Sequence, residues 1–176
     1  MAHDAVLHAL FERLLSAHGQ GLGRVARVYA GSSADAGDLA QEIAVALWRA
    51  LPSFRGECSE RTFAYRIAHN RGISHLEARR TRENVGPLDE AQQVIDPRPT
   101  ADAAIDAARR REALWRAIGE LPVGSRAVLT LSLEGLPHDE IAEVLGTSAN
   151  SVAVRLSRAR ADLREKLQKQ EKRHGS

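Results

Sequence analysis

The sequence predicts an all-α protein of two small helical domains joined by an extended acidic linker. Only 4% of its residues are aromatic, whereas Ala, Leu, Arg and Glu are abundant, and this composition favours helices over sheets. Apolar residues recur at helical spacing along most of the chain, and a hydrophobic content of 43% is ordinary for a globular protein with a packed core. The predicted boundaries are 1–82 for the first domain, 83–106 for the linker and 107–176 for the second domain.

Four helices are predicted in the first domain. The first spans Ala5–His18, and three glycines between residues 19 and 23 are expected to interrupt it before a second helix over Leu22–Ala30. The third spans Asp35–Leu51, with apolar residues every four positions on one face and acidic or amide side chains elsewhere. After a polar loop, the fourth helix runs from Arg61 to Arg80 and has a basic side.

The predicted linker contains one glycine and three prolines but few large apolar residues, so we expect an extended tether. It carries six acids and only one arginine. Basic blocks lie on both sides of it: Arg61–Arg82 has six arginines against one glutamate, and the chain from Arg155 onward has eight lysines and arginines against three acids. Because the net charge is only +2, these two blocks, and not bulk charge, are the candidate nucleic-acid surfaces.

The second domain is predicted to begin with a helix that ends at Leu121-Pro122. Ser125 is expected to cap the next helix, whose apolar residues would pack under the last two helices of the chain. Those apolar residues are Val128, Leu129 and Leu133.

The last two helices predict a helix-turn-helix. Asp139–Leu145 is a short amphipathic segment that stops at Gly146, and Ser148 is placed to cap a second helix. That second helix has an apolar face and, on its other side, an almost uninterrupted row of arginines. Two helices joined in this way can place the second in a DNA major groove. The alternative is an ordinary solvated basic face on a helical hairpin. The apolar face is formed by Val152, Leu156, Ala159 and Leu163.

Other features narrow the class of protein. Cys58 is the single cysteine, which excludes an internal disulfide and a zinc cage built of cysteines. The first helix carries Asp4 and Glu12 and has no basic start, so no signal peptide is expected, and no apolar run approaches membrane-spanning length. We therefore expect a cytoplasmic protein.

Three stretches, in this order, carry a resemblance to a known family: DAGDLAQEIAVALW, FRGECSERTFAYRIAHN and LPVGSRAVLTLSLEGLPHDEIAEVLGTSANSVAVRLSRARADL. Together they resemble the extracytoplasmic-function (ECF) group of bacterial sigma factors of the sigma-70 family, over almost the full chain. The resemblance implies an RNA polymerase sigma factor that directs transcription initiation at −10 and −35 promoter elements. It implies core RNA polymerase (β′ and β subunits), promoter DNA and an anti-sigma factor as partners. No enzyme activity, cofactor or metal is expected.

The resemblance also assigns site residues. Contacts to core polymerase are implied for Asp35, Asp38, Gln41, Glu42 and Trp48. Contacts to the −10 element are implied for Arg55, Gly56, Arg61, Phe63, Arg66, Asn70 and Arg71. Contacts to the −35 element are implied for Ser148, Asn150, Ser151, Arg155, Ser157 and Arg158. In the linker, Glu83, Asp89, Glu90 and Asp96 would mimic the charge of RNA in a polymerase channel, although a soluble tether explains the same composition.

Some of these assignments have structural alternatives. The acidic face of the predicted third helix can be a solvated surface that binds no partner. Trp48 and Phe63 can be core residues. Gly37 stands where the family often has an acid, which weakens the helix and leaves the strength of polymerase binding open. Ala153 and Val154 stand where relatives often have polar residues, so a thymine methyl is one candidate contact there.

Two rival functions remain at this point. One is a polymerase-independent repressor that dimerises through its N-terminal helices. The other is a metal-dependent hydrolase that uses Cys58, His69 and His75, although these residues lack a recognised ligand spacing. A further hypothesis is that phosphorylation at Ser32 or Ser33 supplies the charge that Gly37 omits.

Overall fold

A computed structural model describes residues 2–83, 110 and 113–174. Within these ranges all regular structure is helical, which confirms the all-α prediction. The linker acids Asp89, Glu90 and Asp96 lie outside the described residues. The helices are α1 (Ala2–Tyr29), α2 (Ser33–Ala50), a 3₁₀ turn (Leu51–Ser53), α3 (Glu60–Glu83), α4 (113–119), α5 (Val123–Leu133), α6 (His138–Leu145) and α7 (Ala149–His174).

The first helix is continuous, so the expected break between two short helices is wrong. Glycine costs about 1 kcal/mol against alanine inside a helix, but Leu14, Leu22 and Val25 bury their side chains on both sides of the glycines and hold the helix together. Gly21 has a packing role, because a Cβ atom there would lie 2.0 Å from the hydroxyl of Tyr65. The N-terminal half therefore consists of three α-helices and one 3₁₀ turn.

The start of α2 lies before the predicted Asp35, because Ser32 caps the helix. The Ser32 hydroxyl accepts a hydrogen bond from the Asp35 backbone N–H at 3.1 Å, and the Asp35 carboxylate accepts one from the Gly31 N–H at 2.6 Å. Leu39, Ile43 and the other apolar positions predicted from the spacing are buried against α1 and α3. The helix ends where Pro52 introduces the 3₁₀ turn.

The start of α5 differs from the prediction. Ser125 is not its cap, since the helix follows Pro122, whose carbonyl accepts hydrogen bonds from the N–H groups of Ser125 and Arg126 at 2.9 and 3.0 Å. Val128 is buried as expected, but Leu133 is 60% exposed. Leu133 is the last residue of the helix, directly before the turn at Gly135, and so it points away from the core.

The helix-turn-helix prediction is confirmed. Gly146 ends α6 in the left-handed conformation (φ 63°), which glycine adopts at little cost, and the Thr147 N–H donates to the Ala142 carbonyl at 2.9 Å. The Ser148 hydroxyl accepts from the Ser151 N–H at 3.2 Å and so caps α7. The turn between the two helices is therefore held by local backbone chemistry.

The two halves of the chain pack against each other, whereas the sequence suggested two separately folded units. Helix α1 contacts α5, and the start of α3 contacts α6. One continuous cluster of buried apolar side chains contains residues of both halves, such as Val28 and Leu131. The part of the chain that the structure describes has no helix long and apolar enough to cross a membrane.

Candidate nucleic-acid and polymerase interface

The polar face of α7 is open to solvent. Its opposite face buries Val152, Leu156 and Ala159 against the rest of the C-terminal half, so packing fixes which side chains face outward. Val154 is also exposed there and adds an apolar contact surface between the polar groups. Of the residues assigned to −35 contacts, Ser151 is half-buried and the others are exposed: Ser148, Asn150, Arg155, Ser157 and Arg158.

Ser148 has two roles in this geometry. Its hydroxyl accepts the capping hydrogen bond from the Ser151 N–H and lies 3.0 Å from the Ser151 hydroxyl. The first turn of α7 is therefore ordered without DNA. An ordered helix start with exposed small polar groups can approach base edges or phosphates closely.

The loop before α3 and the exposed side of α3 form a second basic surface. Gly56 adopts φ +75° at the bend of the loop, and Arg55 beside it is exposed. Asn70 and Arg71 are exposed farther along α3, and Arg66 is half-buried. These side chains share one stretch of the fold, where amide and guanidinium groups can bind a nucleic-acid strand.

Three residues of the predicted −10 set are engaged within the protein, and one of them, Arg71, pairs with Glu42 of α2. Phe63 is 6% exposed, and its ring packs against Phe54 with centroids 4.7 Å apart, so the ring is a core element in this arrangement. Arg61 forms a salt bridge with Glu140 of α6, at 2.9 Å between Nη2 and Oε2. Their contact with the −10 element stays a prediction.

The exposed side of α2 forms a groove against α3. It is lined by the predicted polymerase contacts Asp38, Gln41 and Glu42, together with Val45 and Arg71. The Arg71 guanidinium donates two hydrogen bonds to Glu42 Oε2, at 2.7 and 2.9 Å, and this pair joins the α2 surface to the basic side of α3. A groove that combines charged side chains of both signs, including Arg49, with an exposed apolar residue suits a partner helix.

Trp48 and Asp35 lie at the two ends of α2. Trp48 is 41% exposed, and its ring meets Phe11 edge-on with centroids 5.3 Å apart, so it is partly packed and partly available. Asp35 is half-buried, and besides the Gly31 contact its carboxylate lies 2.9 Å from Nε2 of the buried His75. Asp35 therefore stabilises the start of α2, and its role as a polymerase contact stays a prediction.

Buried polar groups lie between α1 and α3. Tyr29 Oη lies 2.5 Å from His69 Nδ1. Burial lowers the pKa of His69 and raises that of Tyr29, so both side chains are neutral at neutral pH.

Burial raises the pKa of the Cys58 thiol. Among the described residues no group of three or more His, Cys, Asp and Glu side chains could hold a metal ion.

Comparison with known protein families finds a match in each half of the chain. Residues 14–82 match the family Sigma-70 region 2, and residues 111–163 match the family Sigma-70, region 4. The chain is 32% identical over 160 residues to the RNA polymerase sigma factor CnrH of Cupriavidus metallidurans, which covers 87% of this chain and 84% of CnrH. The chain belongs to the ECF group of sigma-70 family sigma factors. It is an RNA polymerase sigma factor that acts in promoter recognition and transcription initiation.

Other relatives and solved structures agree with this membership. The sigma factor is 31% identical over 164 residues to the ECF sigma factor SigM of Mycobacterium tuberculosis, covering 92% of this chain and 79% of SigM. The structure of CnrH in complex with the cytosolic domain of CnrY matches with a TM-score of 0.64 and 28% identity, covering 90% of this chain and 87% of that one. The structure of RpoE in complex with the anti-sigma factor NepR from Bartonella quintana has a TM-score of 0.73 at 21% identity, covering 90% and 96%, and it shows the shared fold.

Sequence reasoning missed the contacts that join the two halves of the sigma factor. Arg24 and Tyr65 contact Glu134, and Arg61 and Thr62 contact Glu140. The partners are separated by 69 to 110 positions along the chain. Nothing local in the sequence signals such pairs, because each residue alone resembles any other charged or polar group on a helix.

Proposed function

We propose that this sigma factor binds a promoter through two surfaces, while a third surface binds core RNA polymerase. Helix α7 contacts the −35 duplex, the loop before α3 and α3 itself bind the −10 element, and α2 docks on the polymerase. The observation that carries the proposal is the outward polar face of α7, fixed by burial of its opposite face in a capped helix-turn-helix. Family membership supplies the promoter as the DNA target.

At the −35 element, α7 enters the major groove with its first turn leading. Asn150 and Ser151 lie near base edges, and Arg155 and Arg158 bind phosphates or guanine edges. All four side chains lie within about the first three turns of the helix, on the end that would lead into the major groove.

At the −10 element, binding energy alone shifts the promoter from the closed to the open state. An extracted base needs amide hydrogen-bond groups, which Asn70 supplies, and the displaced strand needs cations along its path, which Arg55, Arg66 and Arg71 supply. The protein has no catalytic role of its own in this mechanism and needs no cofactor.

The polymerase-binding role of α2 is supported by its groove. Asp38 and Gln41 are exposed beside the apolar Val45, and Trp48 extends the same helix surface. We further propose an anti-sigma partner and a cytoplasmic location. The solved relatives support the partner: one is RpoE with the anti-sigma factor NepR, and another is CnrH with the cytosolic domain of CnrY.

Reconstituted transcription tests the proposal. Core polymerase with and without the purified sigma factor is supplied with genomic DNA, and the starts of the transcripts are sequenced. We expect a new set of start sites preceded by common −10 and −35 sequences, which the Arg155→Ala/Arg158→Ala variant no longer selects. Unchanged start sites on adding the wild-type protein would reject the proposal. Tight binding to a palindromic duplex without polymerase would instead favour a dimeric repressor.

A further inference from the structure

Two salt bridges between guanidinium and carboxylate groups hold the C-terminal half against the N-terminal half. In the first, the Arg61 guanidinium forms a fork on Glu140, with Nη2 3.0 and 2.9 Å from the two carboxylate oxygens and Nε 3.1 Å from Oε2. The hydroxyl of Thr62, a fully buried residue, donates to Oε2 of the same carboxylate at 2.9 Å. Glu140 thus accepts from the guanidinium and from a hydroxyl at the start of α3.

The second contact is centred on Glu134, the residue directly after α5. Arg24 of α1 donates to Glu134 through both Nε and Nη2, the latter at 2.8 Å, and Tyr65 Oη donates to the same carboxylate at 3.2 Å. The Glu134 side chain is only 9% exposed. Gly21 makes room for this contact, since a Cβ atom there would lie 2.5 Å from the Glu134 carboxylate. The site is therefore built from both halves, and its carboxylate is largely shielded from solvent.

A carboxylate that accepts a guanidinium fork presents the same charge and nearly the same oxygen geometry as a phosphate. We infer that Glu140 is an internal substitute for a promoter phosphate: it occupies Arg61 and, with Glu134, holds the sigma factor closed so that this arginine cannot reach the −10 strand. This inference rests on the −10 role proposed for Arg61. The halves must separate before that arginine reaches DNA.

The closed arrangement masks the part of the −10 surface around Arg61 and leaves the polar face of α7 free. Arg155 and Arg158 on α7 stay exposed, whereas Arg61 is paired and the start of α3 is covered by α6. Opening should therefore raise affinity for single-stranded DNA more than affinity for duplex DNA. A general loss of negative charge would instead raise the affinity for single-stranded and duplex DNA alike. Comparing the two affinities therefore distinguishes opening of the protein from a change in its charge.

The size of the effect follows from the fraction of open protein, because only the open form binds the strand. Glu140→Gln keeps the shape of the side chain but removes the charge that makes its hydrogen bonds strong. The pair is about one-quarter to one-third exposed, which weakens it through solvent screening. We expect affinity for single-stranded DNA to rise about fivefold.

The experiment uses the full-length chain and fluorescence anisotropy with a labelled mixed-sequence single-stranded DNA and the matching duplex. Glu143→Gln is the control, because Glu143 is exposed on the same helix and its replacement removes the same charge. A rise for the single strand in Glu140→Gln alone supports the inference. Equal affinities for the two variants would overturn it.

Small-angle X-ray scattering gives an independent readout of closure. Arg61→Glu should expand the protein, and the double variant Arg61→Glu/Glu140→Arg should restore the compact form by reversing the pair. A radius of gyration that is the same in wild type and Arg61→Glu overturns closure by this contact. The proposed function is judged separately, since wild-type protein that directs transcription retains that function whatever these variants show.

Discussion

Replacing Gly72 with alanine tests how tightly α3 packs on α1. A Cβ atom at Gly72 would lie 2.2 Å from Cδ2 of Tyr29 and 2.5 Å from its Cγ, whereas carbon atoms normally approach to about 3.5 Å. The ring has little room to retreat, because Tyr29 is fully buried and its hydroxyl lies 2.5 Å from His69 Nδ1. Gly72→Ala should therefore force the two helices apart.

The expected magnitude combines three contributions. Alanine gains about 1 kcal/mol over glycine inside a helix. Overpacking costs about 1–3 kcal/mol, and losing the Tyr29–His69 hydrogen bond costs about 1 kcal/mol. The net effect is a loss of about 1–3 kcal/mol in the free energy of unfolding for Gly72→Ala. Gly37→Ala is the matched control: nothing lies within 4 Å of a Cβ there, so it should gain about 0.5–1 kcal/mol.

Urea denaturation followed by circular dichroism measures both variants. We expect the midpoint of Gly72→Ala to fall and that of Gly37→Ala to rise, with unchanged slopes. If Gly72→Ala were as stable as the wild type, the close approach of Gly72 to the Tyr29 ring would not be a constraint of the fold, and the reasoning would be refuted.

Three further predictions concern α7 and the half-buried His69. Ser148→Ala should lower the free energy of unfolding by about 1 kcal/mol, because the Ser151 N–H loses its cap; urea denaturation measures it. Burial keeps the pKa of His69 below its ordinary value of 6.5, so the folded state binds fewer protons than the unfolded state; stability should fall as the pH is lowered through and below that value, and less steeply in His69→Gln. Arg155→Ala should weaken holoenzyme binding to a −35 promoter about fivefold in a filter assay, with an unchanged Tm, because the side chain is exposed.

Each of these has a control. Ser148→Asp should keep the cap and the stability, and equal losses in Ser148→Ala and Ser148→Asp would contradict the capping role. Identical pH profiles for wild type and His69→Gln would show that His69 does not set the acid sensitivity. A lower Tm in Arg155→Ala would mean that this arginine stabilises the fold, contrary to its exposed position.

The helix-turn-helix could be predicted because its signals are local. Gly146 ends one helix by adopting a positive φ, and Ser148 begins the next by accepting one backbone N–H. Both depend on residues only a few positions apart. The apolar spacing that buries Val152 and Leu156 is likewise a property of one helix. The outward polar face of α7 follows from these features.

Predictions failed where packing overrides local preference. Three glycines suggested a break in α1, yet burial of side chains on both sides of them keeps the helix continuous. Gly21 lies where Glu134 of the C-terminal half comes close to α1. Leu133 has the right spacing for the core, but the turn after α5 leaves it on the surface. Phe63 fitted both a stacking and a core role from its spacing, and here its ring is buried.

The amino-acid sequence by itself determined the helical class, the capped helix-turn-helix and the outward arginines of α7, because these depend on contacts within a few turns of chain. Only the tertiary structure decided that Arg61 meets Glu140 and that Arg24 meets Glu134. Those partners lie 79 and 110 positions apart, and an ion pair between them forms only where the fold brings both charges within reach.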